Sequence, residues 1–450
     1  MDAVSLIPQF GGALYTLAAF VVALSVIVAV HEYGHYIVGR WSGIQAEVFS
    51  IGFGPVLWSR TDRRGTRWQV AALPFGGYVK FLGDADAASA GPDQDVMDAA
   101  AQDPAQLRRT MHGAPLWARA ATVVAGPLFN FVLSIVVFAG IFMFQGEPRD
   151  PLTVGEIHVL PGGAYDLRPG DEILGLGGVP LPGDEGGNWD ALVDQLRDGG
   201  PVIYDIRREG SVQSVEGPHP FPALVSQVAP RSAAMDAGLR GGDVIVAIDE
   251  APISSFDDLK TAVEGGNGRA MLLSVWRDGG MIDLTLAPRR TDEPQEGGGF
   301  VTNWRIGVIG GMAFEPATRT AAPGAALLGG VAQTWRIVES SLSGLWHMVT
   351  GAISTCNISG PVGIAETSGA MAAQGAQSFI WFIAVLSTAV GLLNLFPIPV
   401  LDGGHLLFHL YEAVVGRPPS DGALRILMAT GLALILTLML FAVANDLIFC

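Results

Sequence analysis

Cysteine is nearly missing from this chain: there are two in 450 residues, Cys356 and Cys450. Two thiols make no disulfide framework, so both read as incidental unless they meet in an oxidising compartment. Charged side chains are few as well, 15% of the total against 50% hydrophobic residues, and the mean hydropathy is +0.39. That balance is membrane-like and not that of an ordinary soluble domain. Among the charges, Lys and Arg number 26 against 43 Asp and Glu, a net of -17. With no basic face, no nucleic-acid partner is expected.

What the chain has instead is apolar runs near the roughly 20 residues that cross about 30 Å of hydrocarbon. They lie at 14–38, 118–144, 379–396 and 424–447, the third continuing into a motif that ends at 404. They frame an acidic, Gly- and Pro-rich stretch from Gln145 to about Thr320. The first run lacks a basic leader and a small-residue cleavage site, so it is expected to stay in the mature protein. Arg40, Arg60, Arg63, Arg64, Arg67 and Lys80 follow the first run, Arg108, Arg109 and Arg119 precede the second, and Arg417 and Arg425 separate the last two. Basic side chains stay on the cytoplasmic face, which places both termini and the large middle region outside.

Residues 43–84 alternate apolar and polar residues in short runs divided by Gly, Pro and a charged turn, the pattern of a small antiparallel sheet. Residues 85–117 open on an Ala- and Asp-rich stretch that reads as a solvated cytoplasmic linker. The outer region holds a repeat, "LRPGDEILGLGGVPL" at 167–181 and "LRGGDVIVAIDEAPI" at 239–253, about 72 residues apart. Each copy runs into a helical segment, with Asn188 and Ser255 placed as caps. "ALVSQVAPRSAAMDAGLRGGDVIVAIDEAPI" is similar to the PDZ pattern and the first copy is a shortened version, giving domains at 150–220 and 221–290. PDZ domains accept an extended peptide beside a strand. Residues 324–353 place Leu327, Val331, Trp335, Val338, Leu342, Leu345, Trp346 and Val349 at helical spacing, an amphipathic helix on the outer membrane surface or packed on the outer domains.

The chemistry sits in "VVALSVIVAVHEYGHYIVGR", a run apolar enough to cross a membrane that carries His31, Glu32 and His35. On a helix, positions i and i+4 lie about 40° apart around the axis, so both imidazoles can hold one ion. Glu32 can reach a water on that ion without binding the metal itself. Zinc held by two His and a carboxylate keeps an open position, brings the pKa of its water towards neutrality and polarises a peptide carbonyl. Each ionisable group in an apolar span costs about 2.5 kcal/mol or more, so a purpose is expected for them. The third ligand is expected from "LLNLFPIPVLDGGHLLFHLYE", where Pro397 and Pro399 interrupt the helix and present Asp402. His405 and His409 are rivals for that place.

HEYGH in the first span, "AGPLFNF" (125–131) in the second, "NLFPIPVLDGG" (394–404) in the third and two PDZ-like copies between resemble the site-2 protease family of intramembrane zinc metalloproteases, most closely its bacterial RseP branch. The resemblance implies a polytopic α-helical membrane protein with four transmembrane helices, a membrane-associated β-loop and two extracytoplasmic PDZ (capped β-barrel) domains, in the bacterial inner membrane. It implies His31, His35 and Asp402 as zinc ligands and Glu32 as general base. It implies Asn394, Pro397 and Pro399 as shapers of the substrate cleft, with Gly76, Gly77 and Tyr78 in the β-loop that meets an unwinding helix. Asn130 matches a motif position whose duty is either at the site or in helix packing. The implied substrates are single-span proteins already shortened outside, such as anti-sigma factors, and remnant signal peptides. The alternative is a non-catalytic PDZ scaffold with structural zinc; a zinc transporter would want more ionisable residues along the spans.

Overall fold

The apolar run that opens the sequence folds as one long helix, α1 (Ala3–Trp41). The computed structural model describes residues 3–85, 91–163, 165–181, 192, 196, 200–295 and 299–449. Among them, four helical stretches are long and apolar enough to cross a membrane: Gly12–Trp41, Leu116–Gln145, Ala376–Asn394 and Gly422–Ile448.

After α1 come two long strands, β1 (Ala46–Thr61) and β2 (Arg67–Phe81). Asp62 makes the turn between them by accepting from the backbone N–H of Arg64 (2.8 Å) and Thr66 (3.0 Å). Both strands bend in the middle, β1 at Gly52 and Gly54, whose φ of +89° and +82° favour glycine. The bend lets Val48–Ile51 pair with Arg67–Val70 on one side and with Gly77–Lys80 on the other, while Val56–Thr61 pairs with Arg67–Ala71. Two strands therefore make a four-row sheet with Gly77–Phe81 at its edge. Phe49, Val79 and Phe81 pack with Tyr36 of α1, and with Met111 and Ala118 further along the chain.

The expected linker differs from a solvated run. It contains α2 (Gln94–Ala100) and α3 (Pro104–Leu107), and its acidic residues do local work: Asp93 and Asp103 cap the two helices. Asp84 is buried, accepts from the Phe81 N–H at 3.0 Å and faces His112 at 3.3 Å. Helix α4 (Leu116–Gln145) follows, with Pro127 inside it.

A second compact unit comprises Phe142–Ala322 and Thr350–Ser354. Its strands, in order, are β3 (Glu147–Pro148), β4 (Val154–Ile157), β5 (Glu172–Leu176), β6 (Val179–Pro180), β7 (Val202–Arg208), β8 (Ser211–Gly217) and β9 (Val225–Val228). Then come α5 (Ala233–Asp236), β10 (Val244–Ile248), β11 (Ala251–Pro252), α6 (Phe256–Gly265), β12 (Met271–Arg277) and β13 (Gly280–Leu286). Five strands complete the unit: β14 (Arg289–Pro294), β15 (Phe300–Arg305), β16 (Val308–Gly310), β17 (Phe314–Pro316) and β18 (Thr318–Arg319).

The repeat becomes two sheets of one topology, β6-β5-β7-β8 and β11-β10-β12-β13. The shared Leu-Arg-x-Gly-Asp has a structural reason. Gly170 and Gly242 both have φ of +93°, and the following Asp171 and Asp243 fold back to accept the N–H of Arg168 and Arg240, each at 2.8 Å. Each buried carboxylate then takes a two-bonded guanidinium, Arg208 in the first copy and Arg277 in the second, with every N–O distance 2.7 Å. Ser255 caps α6 in a capping box with Asp258; Asn188, the matching cap in the first copy, lies outside the described residues.

The module boundaries differ from 150–220 and 221–290. Strand β17 pairs with β4, and Ala313 and Phe314 complete the first core, whereas β16 pairs with β9 and Ile306 completes the second. The second module is inserted into the first instead of following it.

The chain then forms α7 (Pro323–Val349), α8 (Pro361–Ala373), α9 (Ala376–Asn394), α10 (Asp402–Val415) and α11 (Asp421–Ala444). Helix α7, the expected amphipathic helix, comes close enough to α4 at Gly330 that a Cβ there would lie 3.1 Å from the Ala139 nitrogen. Helix α8 was not foreseen; its Gly369 rests on Thr16 of α1. The third span ends as a helix at Asn394, and Leu395–Leu401, with Pro397 and Pro399, separates it from α10. Cys356 is disulfide-bonded, which corrects the expectation of an incidental thiol; Cys450 lies outside the described residues.

Candidate metal centre

His31 and His35 stand one turn apart on α1 with their Nε2 atoms 3.1 Å from each other. They fit against α4 because residue 126 is glycine: a Cβ there would run into His35 Nε2 and lie 2.8 Å from His31 Nε2. The other ring nitrogen of His35 is 2.9 Å from the Thr122 carbonyl. A carbonyl only accepts, so Nδ1 of His35 carries a proton, which in the neutral ring leaves Nε2 as the lone-pair donor. Asp402, the first residue of α10, places Oδ2 3.1 Å from His31 Nε2 and 3.5 Å from His35 Nε2.

These three atoms lie within 4.8 Å of one another, and the group is the one such His/Cys/Asp/Glu cluster found among the described residues. Tetrahedral zinc with bonds of about 2.0–2.2 Å sets its donor atoms roughly 3.4 Å apart, close to the separations of 3.1 and 3.5 Å seen here. Oδ2 of Asp402 is buried and has no partner among the described residues except those two nitrogens. Two nitrogens and a carboxylate oxygen therefore fit a zinc ion with an open fourth position.

A cavity of about 300 Å³ opens beside the cluster. Glu32, Gly77, Tyr78 and Asn394 line it, so four of the expected residues meet the three donors in one place. Strand β2 runs directly over the carboxylate: a Cβ on Gly77 would sit 3.0 Å from Glu32 Cγ. Asn394 already donates its amide to the Val390 carbonyl at 3.0 Å. Gly76, Pro397 and Pro399 are not among the lining residues. Gly76, at φ +144°, backs onto Phe53, and Pro399 packs on Gly404 and Gly431. His405 and His409 line the cavity without joining the three clustered donor atoms.

Sequence reasoning missed His112, which reaches the cavity from the stretch taken for a linker, and Arg119. Arg119 holds Glu412 of α10 in a two-bonded ion pair, 2.9 and 2.6 Å, that ties the Asp402 helix to the start of α4. The signal for the pair was one basic residue before an apolar run and one acidic residue after another, which marks neither as a partner.

The profile of peptidase family M50 matches residues 19–438. The chain belongs to that family. Full-length relatives agree with it. A Rhizobium meliloti protein named as a zinc metalloprotease is 37% identical over 96% of each chain. The Escherichia coli protein named regulator of sigma-E protease RseP is 33% identical over 96% of this chain and 98% of its own, as is its Salmonella typhimurium namesake.

Proposed function

We propose that the chain is an intramembrane zinc metalloendopeptidase that hydrolyses peptide bonds within membrane-spanning segments of other proteins. The observation that carries this is the meeting of His31, His35 and Asp402 beside Glu32, the two histidines and Glu32 standing on a helix apolar enough to cross a membrane. Zinc in this donor set supplies Lewis acidity towards a carbonyl oxygen and makes water acidic enough to lose a proton near neutral pH.

The residues of the chain do the rest. Glu32 takes the proton as the water oxygen bonds to the scissile carbonyl carbon, then delivers it to the amine as the C–N bond breaks. Asp402 and the two imidazoles hold the site, and the cavity admits the water a membrane would exclude. The edge Gly77–Phe81 carries N–H and C=O groups that have no strand partner on its outer side among the described residues. A substrate helix must give up its internal hydrogen bonds to be cut, and this edge offers replacements.

The repeated modules are read as PDZ domains on the extracytoplasmic side of a bacterial inner membrane, with both termini on that side. The Lys and Arg distribution supports this orientation, and a disulfide at Cys356 suits an oxidising compartment. Substrates would be single-span proteins already shortened outside, anti-sigma factors among them, as the naming of the relatives after sigma-E regulation supports.

The test compares purified wild type with Glu32→Gln on a panel of single-span proteins from one bacterial cell. Wild type is expected to cut at least one within its span while Glu32→Gln cuts none. A wild type that cuts none returns the chain to the scaffold reading.

A further inference from the structure

Asn130 is fully buried in α4, one turn beyond Gly126. Its amide nitrogen lies 3.2 Å from Nδ1 of His31, and its amide oxygen has no hydrogen-bond partner among the described residues. Its backbone is held firmly, since the Ser134 and Ser387 hydroxyls donate to its carbonyl at 3.0 and 2.9 Å. Packing alone would be served by an aliphatic side chain, which avoids the cost of burying an amide.

The two histidines pose the same problem. A metal on Nε2 needs the proton on Nδ1, and a buried Nδ1–H needs an acceptor. His35 has one in the Thr122 carbonyl. The partner of His31 is the Asn130 amide, and only its oxygen can accept. A half-turn about Cβ–Cγ exchanges oxygen and nitrogen within the same outline.

We infer that Asn130 is a positioning residue of the metal centre, whose amide oxygen accepts from His31 Nδ1 and so fixes the tautomer and ring plane that offer Nε2 to zinc. With the amide turned the other way, Nδ2 donates to Nδ1, and His31 carries its proton on Nε2, directed at Asp402 Oδ2 3.1 Å away. That arrangement leaves no lone pair for the ion. The amide thus selects between a metal-ready and a metal-free state of His31.

The inference rests on the zinc reading, and the experiment separates the two. Zinc affinity is measured by chelator competition on the full chain in detergent, for wild type, Asn130→Leu, Asn130→Asp and His35→Ala. Cobalt absorption reports ligand geometry, and melting of the metal-free proteins reports packing. Asn130→Leu is expected to lose about 10- to 100-fold in zinc affinity and to change the cobalt spectrum, while its metal-free form melts near wild type. Asn130→Asp, which keeps an acceptor, is expected to bind zinc at least as tightly as wild type. Should Asn130→Leu fail to fold, Asn130→Asp decides alone. Affinity within twofold of wild type in Asn130→Leu, or zinc loss in a folded Asn130→Asp, overturns the inference. A wild type whose zinc is indifferent to His35→Ala overturns the zinc reading instead.

Discussion

At the scale of single residues, the site depends as much on what is absent as on what is present. Gly126 has no function of its own, yet a methyl there would occupy the space of both imidazoles. Gly126→Ala is therefore expected to lower zinc occupancy at least tenfold without removing a ligand, measured as zinc per chain after dialysis against a mild chelator; full occupancy would contradict the packing argument. The ligand question shows where sequence stops. The spacing of His31 and His35 made them a pair on any helix, but for the third place spacing left His405 and His409 as rivals to the expected Asp402. Which of them faces α1 depends on how the Leu395–Leu401 break aims α10, and Pro397 and Pro399 announce a break without giving its direction.

At the scale of elements, the repeat was legible because its Asp is part of a local turn: Gly-Asp after Leu-Arg is a short-range signal that the structure uses twice. Asp243 is buried while Arg277 reaches solvent, so Asp243→Ala, which removes the acceptor of the Arg240 N–H and of two guanidinium bonds, is expected to cost the second module about 1–3 kcal/mol, read as earlier loss of that module in urea. The interleaving of the modules was not legible. Strands β16 and β17 have three residues each, too few to show alternation, and their partners lie far back in the sequence. Residues 85–117 misled for a related reason: an Asp-rich composition suits solvent, but Asp93 and Asp103 are helix caps and His112 faces the buried Asp84 that precedes the stretch. Acid sensitivity belongs to this scale too. Partial burial favours the neutral form of Glu293, but hydrogen bonds from Arg305 and Asn303 outweigh it and hold the carboxyl below its usual range. A depressed carboxyl stabilises above its unfolded pKa and loses that contribution as pH falls through the folded one. Wild type and Glu293→Gln should differ in melting temperature at pH 7 and converge as the pH falls below about 4; a constant difference would contradict the pairing.

At the scale of the whole molecule, the apolar spans and the Lys and Arg near their ends were readable from composition, because hydrocarbon imposes length and polarity with little regard to detail. The peptidase reading joins those spans to the metal centre. The most direct test reconstitutes wild type and Glu32→Gln in vesicles with one cleavable single-span protein, and reads zinc content and cleavage together, before and after chelation and zinc return. One zinc per chain in both proteins is predicted, with cleavage by wild type alone, lost on chelation and restored by zinc. Cleavage by Glu32→Gln at the wild-type rate, or by a zinc-free wild type, would contradict it.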